Sequence, residues 1–455
     1  MRGLMLSTAG LASALLLSTP LLAQTSDNQP KATADPATGD TQSQTQGQQQ
    51  AAPPSTLTGE WGGLRTRLRD DGINLTLGYS GEFAANVSGG QHKSADDDGQ
   101  LSFGATIDTD KLFGLQGGTL QTTVTYRYGH NLTDRAGLGV LQQVQEVYGR
   151  GQTWRITEFY YQQQFAGGVD LKVGRLVQGG DFNSFSCDFQ NLSFCGAPAG
   201  NLFGDYWYNY PVAQWGARLR LKHRDWYVMG GAYENNPNNL ETNFTISHKG
   251  ATGVLVPFEL GWTPHLGPKG LPGTYRVGGW YNSTNGNDVL LDVNHRPIAI
   301  TGAEPLQHSG RYGGYVMIQQ QLTGTFQDDP KTGPKATQGL SVFVNFTQGD
   351  RQSSVTDNQV AVGLFFTGPF KSRKDDDIGL ALARTNVNGR AAEEDGLLAP
   401  GTQRPNAEYA SELYYSLHVR PWLILRPNVQ YIVDPGGFSD MTDVVVLGLK
   451  TAITF

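Results

Sequence analysis

The residues with chemical potential are scattered along the chain and mostly of one kind. Glu82, Arg127, Glu158, Arg218, Arg220, Glu259 and Arg276 occupy polar positions in segments where polar and apolar residues alternate. Side chains two apart in an extended strand share a face. A guanidinium fork or a carboxylate on such a face can hydrogen-bond a polar solute. Arg175 and Asp181 are of the same kind, although the alternation breaks near Gly174. Catalytic constellations are missing from the sequence. It holds no Gly-x-Ser-x-Gly elbow, no His-Glu-x-x-His pair and no Gly-x-x-x-x-Gly-Lys loop. His308 and Ser309 are adjacent but have no evident third partner. Neither an enzyme nor a cofactor is expected. Cys187 and Cys195, the only cysteines, have no histidine near them in sequence, so a metal site is not expected either. A net charge of −7 argues against a nucleic-acid partner.

These residues must be held by strands. The chain opens on MRGLMLSTAGLASALLLSTPLLAQ, whose basic start, apolar core and small-residue end read as a signal peptide over residues 1–23. Export makes one local Cys187–Cys195 disulfide the simplest reading. Residues 24–56 are rich in Gln, Thr, Ala and Pro and read as a disordered tether. In LTGEWGGLRTRLRDDGI, Leu64 and Leu68 are four apart, which predicts a short amphipathic helical segment over 57–72. From Ile73 to Phe455 the period is two. Ile73, Leu75, Leu77 and Tyr79 alternate with Asn74, Thr76 and Ser80, and the closing LGLKTAITF alternates in the same way. No later apolar run could cross a membrane as a helix, so any crossing must be made by strands.

About sixteen strands fit the pattern, with short and long connections in alternation, the layout of an outer-membrane barrel. The long connections fall at 130–152, 179–210, 284–310 and 388–406. So many strands enclose more volume than wall side chains fill, so the polar face must point inward and the apolar face toward lipid. The expected fold is all-β: a closed antiparallel transmembrane β-barrel over 73–455. Closure leaves no unpaired strand edge in hydrocarbon. Tyr79, Trp215, Trp262, Tyr281 and Tyr431 fall on the outward face near strand ends, where aromatic rings form interfacial girdles. The acidic runs Asp96–Asp98 and Asp375–Asp377 read as solvated loop or turn.

Several stretches together resemble the carbohydrate-selective porins of Gram-negative outer membranes (the OprB type). They are LTGEWGGLRTRLRDDGI (57–73), VQEVYG (144–149), VGRLVQGGDF (173–182), CDFQNLSFCG (187–196), YPVAQWGARL (210–219) and RPNVQYIVDPGG (426–437). The resemblance implies a 16-stranded barrel in the outer membrane through which monosaccharides and similar small sugars diffuse passively. It also implies that the barrel-assembly machinery reads Phe455, and it leaves monomer and trimer both open. Organic acids or polyols are the alternative solutes. Selective yet fast passage calls for weak, repeated contacts, and Arg127, Glu158 and Arg175, in strands next to the cysteine loop, are the first candidates to supply them. That loop carries Phe189 and Phe194 and is followed by Tyr206 and Trp207. It is expected to fold inward, narrow the pore and bring these rings to the sugar path.

Overall fold

The computed structural model describes residues 55–240, 244–329 and 333–455. The expected signal peptide and nearly all of the 24–56 tether lie outside the described residues. Among these, sixteen strands form one closed antiparallel barrel. They are β1 (Ile73–Ser88), β2 (Ala95–Asp108), β3 (Gly118–Gly129), β4 (Trp154–Phe165), β5 (Val169–Leu176), β6 (Gln214–His223), β7 (Trp226–Asn235) and β8 (Gly253–Trp262). The second half comprises β9 (Leu271–Asn282), β10 (Arg311–Gln321), β11 (Gly333–Gly349), β12 (Thr356–Thr367), β13 (Asp377–Val387), β14 (Ala407–Arg420), β15 (Leu423–Val433) and β16 (Val444–Thr454). Each strand pairs with its neighbours in sequence, and β1 also pairs with β16, with Glu82 opposite Lys450, to close the ring.

The alternation sets which face is which. Phe83, Phe103, Leu219, Val228, Phe258, Val277, Leu413 and Leu447 stand outward and exposed, whereas Ser80, Gln100, Arg218, Glu259, Gln430 and Lys450 point inward and are buried. That inverts a soluble barrel and suits a wall surrounded by lipid. The connections are unequal, as expected. Those at one end are turns such as 224–225 and 421–422, while the other end carries 130–153, 177–213, 283–310 and 388–406.

Three local features of the strands shape the inner face. Thr123 pairs with Glu158 but Val124 pairs with Ile156, so Thr157 is an extra residue in β4. This bulge shifts the phase, and both Arg155 and Glu158 face the interior. Asp96–Asp98 is no turn: it lies inside β2, with Asp96 and Asp98 buried. Gly174 in β5 has φ +141, and a Cβ there would lie 2.4 Å from the Phe159 carbonyl oxygen, which fits the break in pattern at this point.

The segment before the barrel is tied to its seam. A 3-10 turn (Trp61–Gly63) leads into α1 (Leu64–Asp70). Arg65 of α1 is buried and donates to the main-chain oxygen of Phe455 (2.8 Å), to the Leu75 carbonyl (3.1 Å) and to Thr56 Oγ1 (3.0 Å). Leu57 N–H donates to the Thr454 carbonyl at 2.8 Å, and Phe455 N–H to that of Leu77 at 2.9 Å. Arg65 therefore bridges the first and last strands. Hydrogen bonds to a charged group contribute about 1.5–3 kcal/mol, so Arg65→Ala should destabilise the folded barrel by about that amount. The lowered temperature at which it converts to the unfolded form on a semi-native gel would report it, and an unchanged conversion temperature would remove Arg65 from the seam's stability.

Candidate functional site

Charged side chains gather on the inner wall from β4 to β9. In β5, Asp170 and Lys172 alternate with outward Leu171 and Val173, and in β6 Arg218 and Arg220 alternate with Leu219 and Leu221. The register sets Lys172 opposite Arg218 and Asp170 opposite Arg220. The helical turn Gln178–Asp181 then brings Asp181 back over this pair. Lys172 Nζ lies 2.9 Å from Asp181, and Arg218 bridges Asp181 (3.4 Å) and Asp170 (3.0 Å). Arg220 reaches the same Asp170 oxygen at 3.1 Å. Gln162 also donates to Asp170.

The network continues at both ends. Glu158 accepts from Thr123 Oγ1 at 2.9 Å, and Lys172 stands 5.0 Å from the centre of the Tyr160 ring. On the other side Arg220 lies over Tyr227, whose hydroxyl donates to Glu259 at 2.6 Å. Glu259 accepts as well from Tyr315 Oη (2.7 Å) and from the Asn183 N–H (3.1 Å). Burial would raise the Asp181 carboxyl, but the charges of Lys172 and Arg218 outweigh it and hold the group below the usual carboxylate range. The side chains of Lys172, Asp181 and Arg220 keep 12, 10 and 16% of their surface in solvent. A polar solute in the lumen can therefore meet a carboxylate and two cations whose positions are fixed by one another.

The opposite wall is occupied. The Cys187–Cys195 disulfide is formed, and its loop folds into the barrel. The Gln190 and Asn191 N–H groups both donate to Glu412 of β14, at 2.8 and 2.6 Å. Arg426 of β15 donates to the Asp188 carbonyl, and Lys450 of β16 to the carbonyls of Cys187 (2.9 Å) and Phe189 (3.1 Å).

The aromatics expected to meet sugar do not reach the lumen surface. Phe189, Phe194, Tyr206 and Trp207 are each at most 1% exposed. Phe189 packs against Phe194 (5.3 Å between ring centres), Tyr414 (4.9 Å) and Phe365 (5.7 Å). Trp207 meets Trp280 edge-on, and Tyr206 accepts a hydrogen bond from Trp280 Nε1 while stacking under Arg311. These rings fasten the loop to the wall. Burial of apolar area, rather than contact with solute, accounts for their position.

The charged residues singled out from sequence divide into three groups. Glu158, Asp181, Arg218, Arg220 and Glu259 come together on one wall, with Arg276 of β9 inward beside them. Glu82 and Arg127 face inward but are covered by the 130–153 connection: Glu82 accepts from the Val147 N–H, and Arg127 donates to Gln100 and to the Gly149 carbonyl. Arg175 follows the irregularity at Gly174. The register pairs it with Phe159 and Trp215, and its buried guanidinium donates to the Ala213 carbonyl at 2.9 Å. Lys172, Asp170 and Tyr227 were not singled out, although alternation in β5 and β7 puts them on the inner face.

Comparison with known proteins agrees with this arrangement. The family described as "Carbohydrate-selective porin, OprB family" matches residues 92–455. The chain is 42% identical to Porin B of Pseudomonas aeruginosa over 420 residues, covering 88% of this chain and 91% of that protein. It is 33% identical over 428 residues to the putative porin QuiX of Acinetobacter baylyi, covering 88% and 93%. The high-pH structure of Pseudomonas putida OprB superposes with a TM-score of 0.84 at 41% identity, over 89% of this chain and 99% of that one.

Truncating a buried aromatic ring costs about 3–5 kcal/mol. Phe189→Ala should therefore lower the stability of the folded barrel by roughly that amount in denaturant unfolding. A ring that only touched passing solute would leave the transition where it was.

Proposed function

The chain belongs to the OprB family of carbohydrate-selective porins, and from that premise we propose that the wall from β4 to β9 is where a passing monosaccharide makes its hydrogen bonds. The protein is a sugar-selective channel of the Gram-negative outer membrane, its strands crossing the bilayer and its lumen open to diffusion. In such barrels the short turns face the periplasm and the long loops the exterior.

The observation that carries the proposal is the linked set of solvent-touching groups Lys172, Asp181 and Arg220. A sugar offers hydroxyls that both donate and accept. A wall where fixed cations and carboxylates alternate can match them without holding any one tightly. Millimolar binding corresponds to about 4 kcal/mol, weak enough for quick exit. The same wall bears on the alternative solutes. Lys172, Arg218, Arg220 and Arg276 stand among Glu158, Asp170, Asp181 and Glu259, so a solute passing there meets both signs of charge, which suits the hydroxyls of a neutral sugar or polyol. We propose that Phe455 is read by the barrel-assembly machinery while the chain is being inserted, before Arg65 engages its main chain.

Arg220→Gln should weaken glucose block of single-channel current by about tenfold, while the barrel still folds. Undiminished block in the folded variant would contradict this role. Acidification tests Asp181. Its folded pKa is depressed, so its charge and the stability it lends are complete above the unfolded value of about 3.9 and are lost as pH falls through the lowered folded one. The contribution of Asp181, measured as the difference in block between the wild type and Asp181→Asn, should be constant from neutral pH down to about 4.5. A contribution that fades across that range would show that Lys172 and Arg218 do not hold it ionised.

A further inference from the structure

Lys450 is the one charged residue of β16, in VVVLGLKTAIT. Its neighbours across the seam are Glu82 on β1 and Arg426 on β15, in one inward row. The side chain is 4% exposed. An ammonium taken out of water needs compensating partners, because its desolvation is costly. Lys450 finds them on three separate pieces of the molecule. It pairs with Glu82 of the wall at 3.3 Å and with Glu146 of the 130–153 connection, and it donates to the carbonyls of Cys187 and Phe189 in the disulfide loop.

The two loops also hold each other at this point. Glu146 N–H donates to the Gln190 carbonyl at 3.0 Å, and Leu192 N–H to that of Gln143 at 2.9 Å. Lys450 thus stands where both loops meet the barrel. Loss of its charge would leave Glu82 and Glu146 facing each other, buried and without their shared cation, and would take the donor from two loop carbonyls. Unpaired buried charge is costly enough to drive rearrangement, and the two loops are the parts not fixed by the strand ladder.

We propose that Lys450 is a positioning residue for sugar passage: by pinning both inner loops to the seam, it sets the aperture between the disulfide loop and the charged wall. This rests on the sugar-porin reading. It assigns Lys450 no contact with solute.

The test is single-channel recording of the wild type, Lys450→Met, Lys450→Arg and Glu146→Gln in planar bilayers, each checked for folding by heat-modifiable migration and titrated with glucose. Lys450→Met should raise the mean conductance, add open-state noise and weaken glucose block by about tenfold. Lys450→Arg, which keeps the cation, should stay near the wild type. Glu146→Gln unties one loop only and should shift both readouts the same way by less. This milder variant decides the matter if Lys450→Met does not fold. Folded variants with unchanged conductance, noise and block would overturn the inference. A wild type that conducts but ignores glucose would instead contradict the sugar reading, while the conductance of the variants would still decide whether Lys450 sets the aperture.

Discussion

Backbone groups carried into the interior of a barrel must find partners there, and the rest of this structure depends on how that is done. Sixteen strands pair all round the ring, which satisfies the wall itself. The loop from 177 to 213 enters the enclosed space, and its peptide groups need partners there. The wall answers with charged side chains: Glu412 takes two N–H groups, Glu259 takes one, and Arg426 and Lys450 give to three carbonyls. A buried polar group left without such a partner costs about 1–3 kcal/mol. The inward charges that meet the loop are therefore structural, whereas Lys172, Asp181 and Arg220 keep part of their surface in solvent.

This division gives the lumen its asymmetry. Between β14 and β1 the charged groups are consumed by the loops, and the aromatic rings of the disulfide segment pack against Phe343, Phe365 and Tyr414. From β4 to β9 the charges pair mainly with each other. Mutual pairing keeps Lys172, Asp181, Arg218 and Arg220 in place while leaving some of their surface in water. Groups held in this way are preorganised for a polar solute, which is what the proposed sugar passage requires.

Much of the fold could be read from the sequence, because period-two alternation and unequal connections are direct consequences of a lipid-facing barrel. The strands extend beyond the alternating cores at the loop end. In β14, for example, Ala410 and Ser411 dilute the pattern ahead of Leu413. Alternation also says which way a side chain faces but not what lies opposite it. Glu82 and Arg127 have inward parity, yet only the fold puts the 130–153 connection on top of them. The extra Thr157 hides Arg155, and the positive φ of Gly174 breaks the alternation just ahead of the buried Arg175. Phe189 and Trp207 could not be resolved from sequence, since a ring that lines a pore and one that anchors a loop have the same composition signal. Lys450 had inward parity and no charged companion in its strand, which was its one mark.

On the function proposed above, the open path runs along β4–β9 and the β14–β1 side is sealed. Thiol accessibility tests it most directly. In the folded, oxidised protein, Arg220→Cys and, separately, Asn428→Cys would be exposed to a charged water-soluble thiol reagent with current recorded throughout. Modification should be rapid at 220 and slowed by glucose, with little or none at 428, where Asn428 is held against Gln190 of the loop. Rapid modification at 428 with protection at 220 would place the path on the other wall.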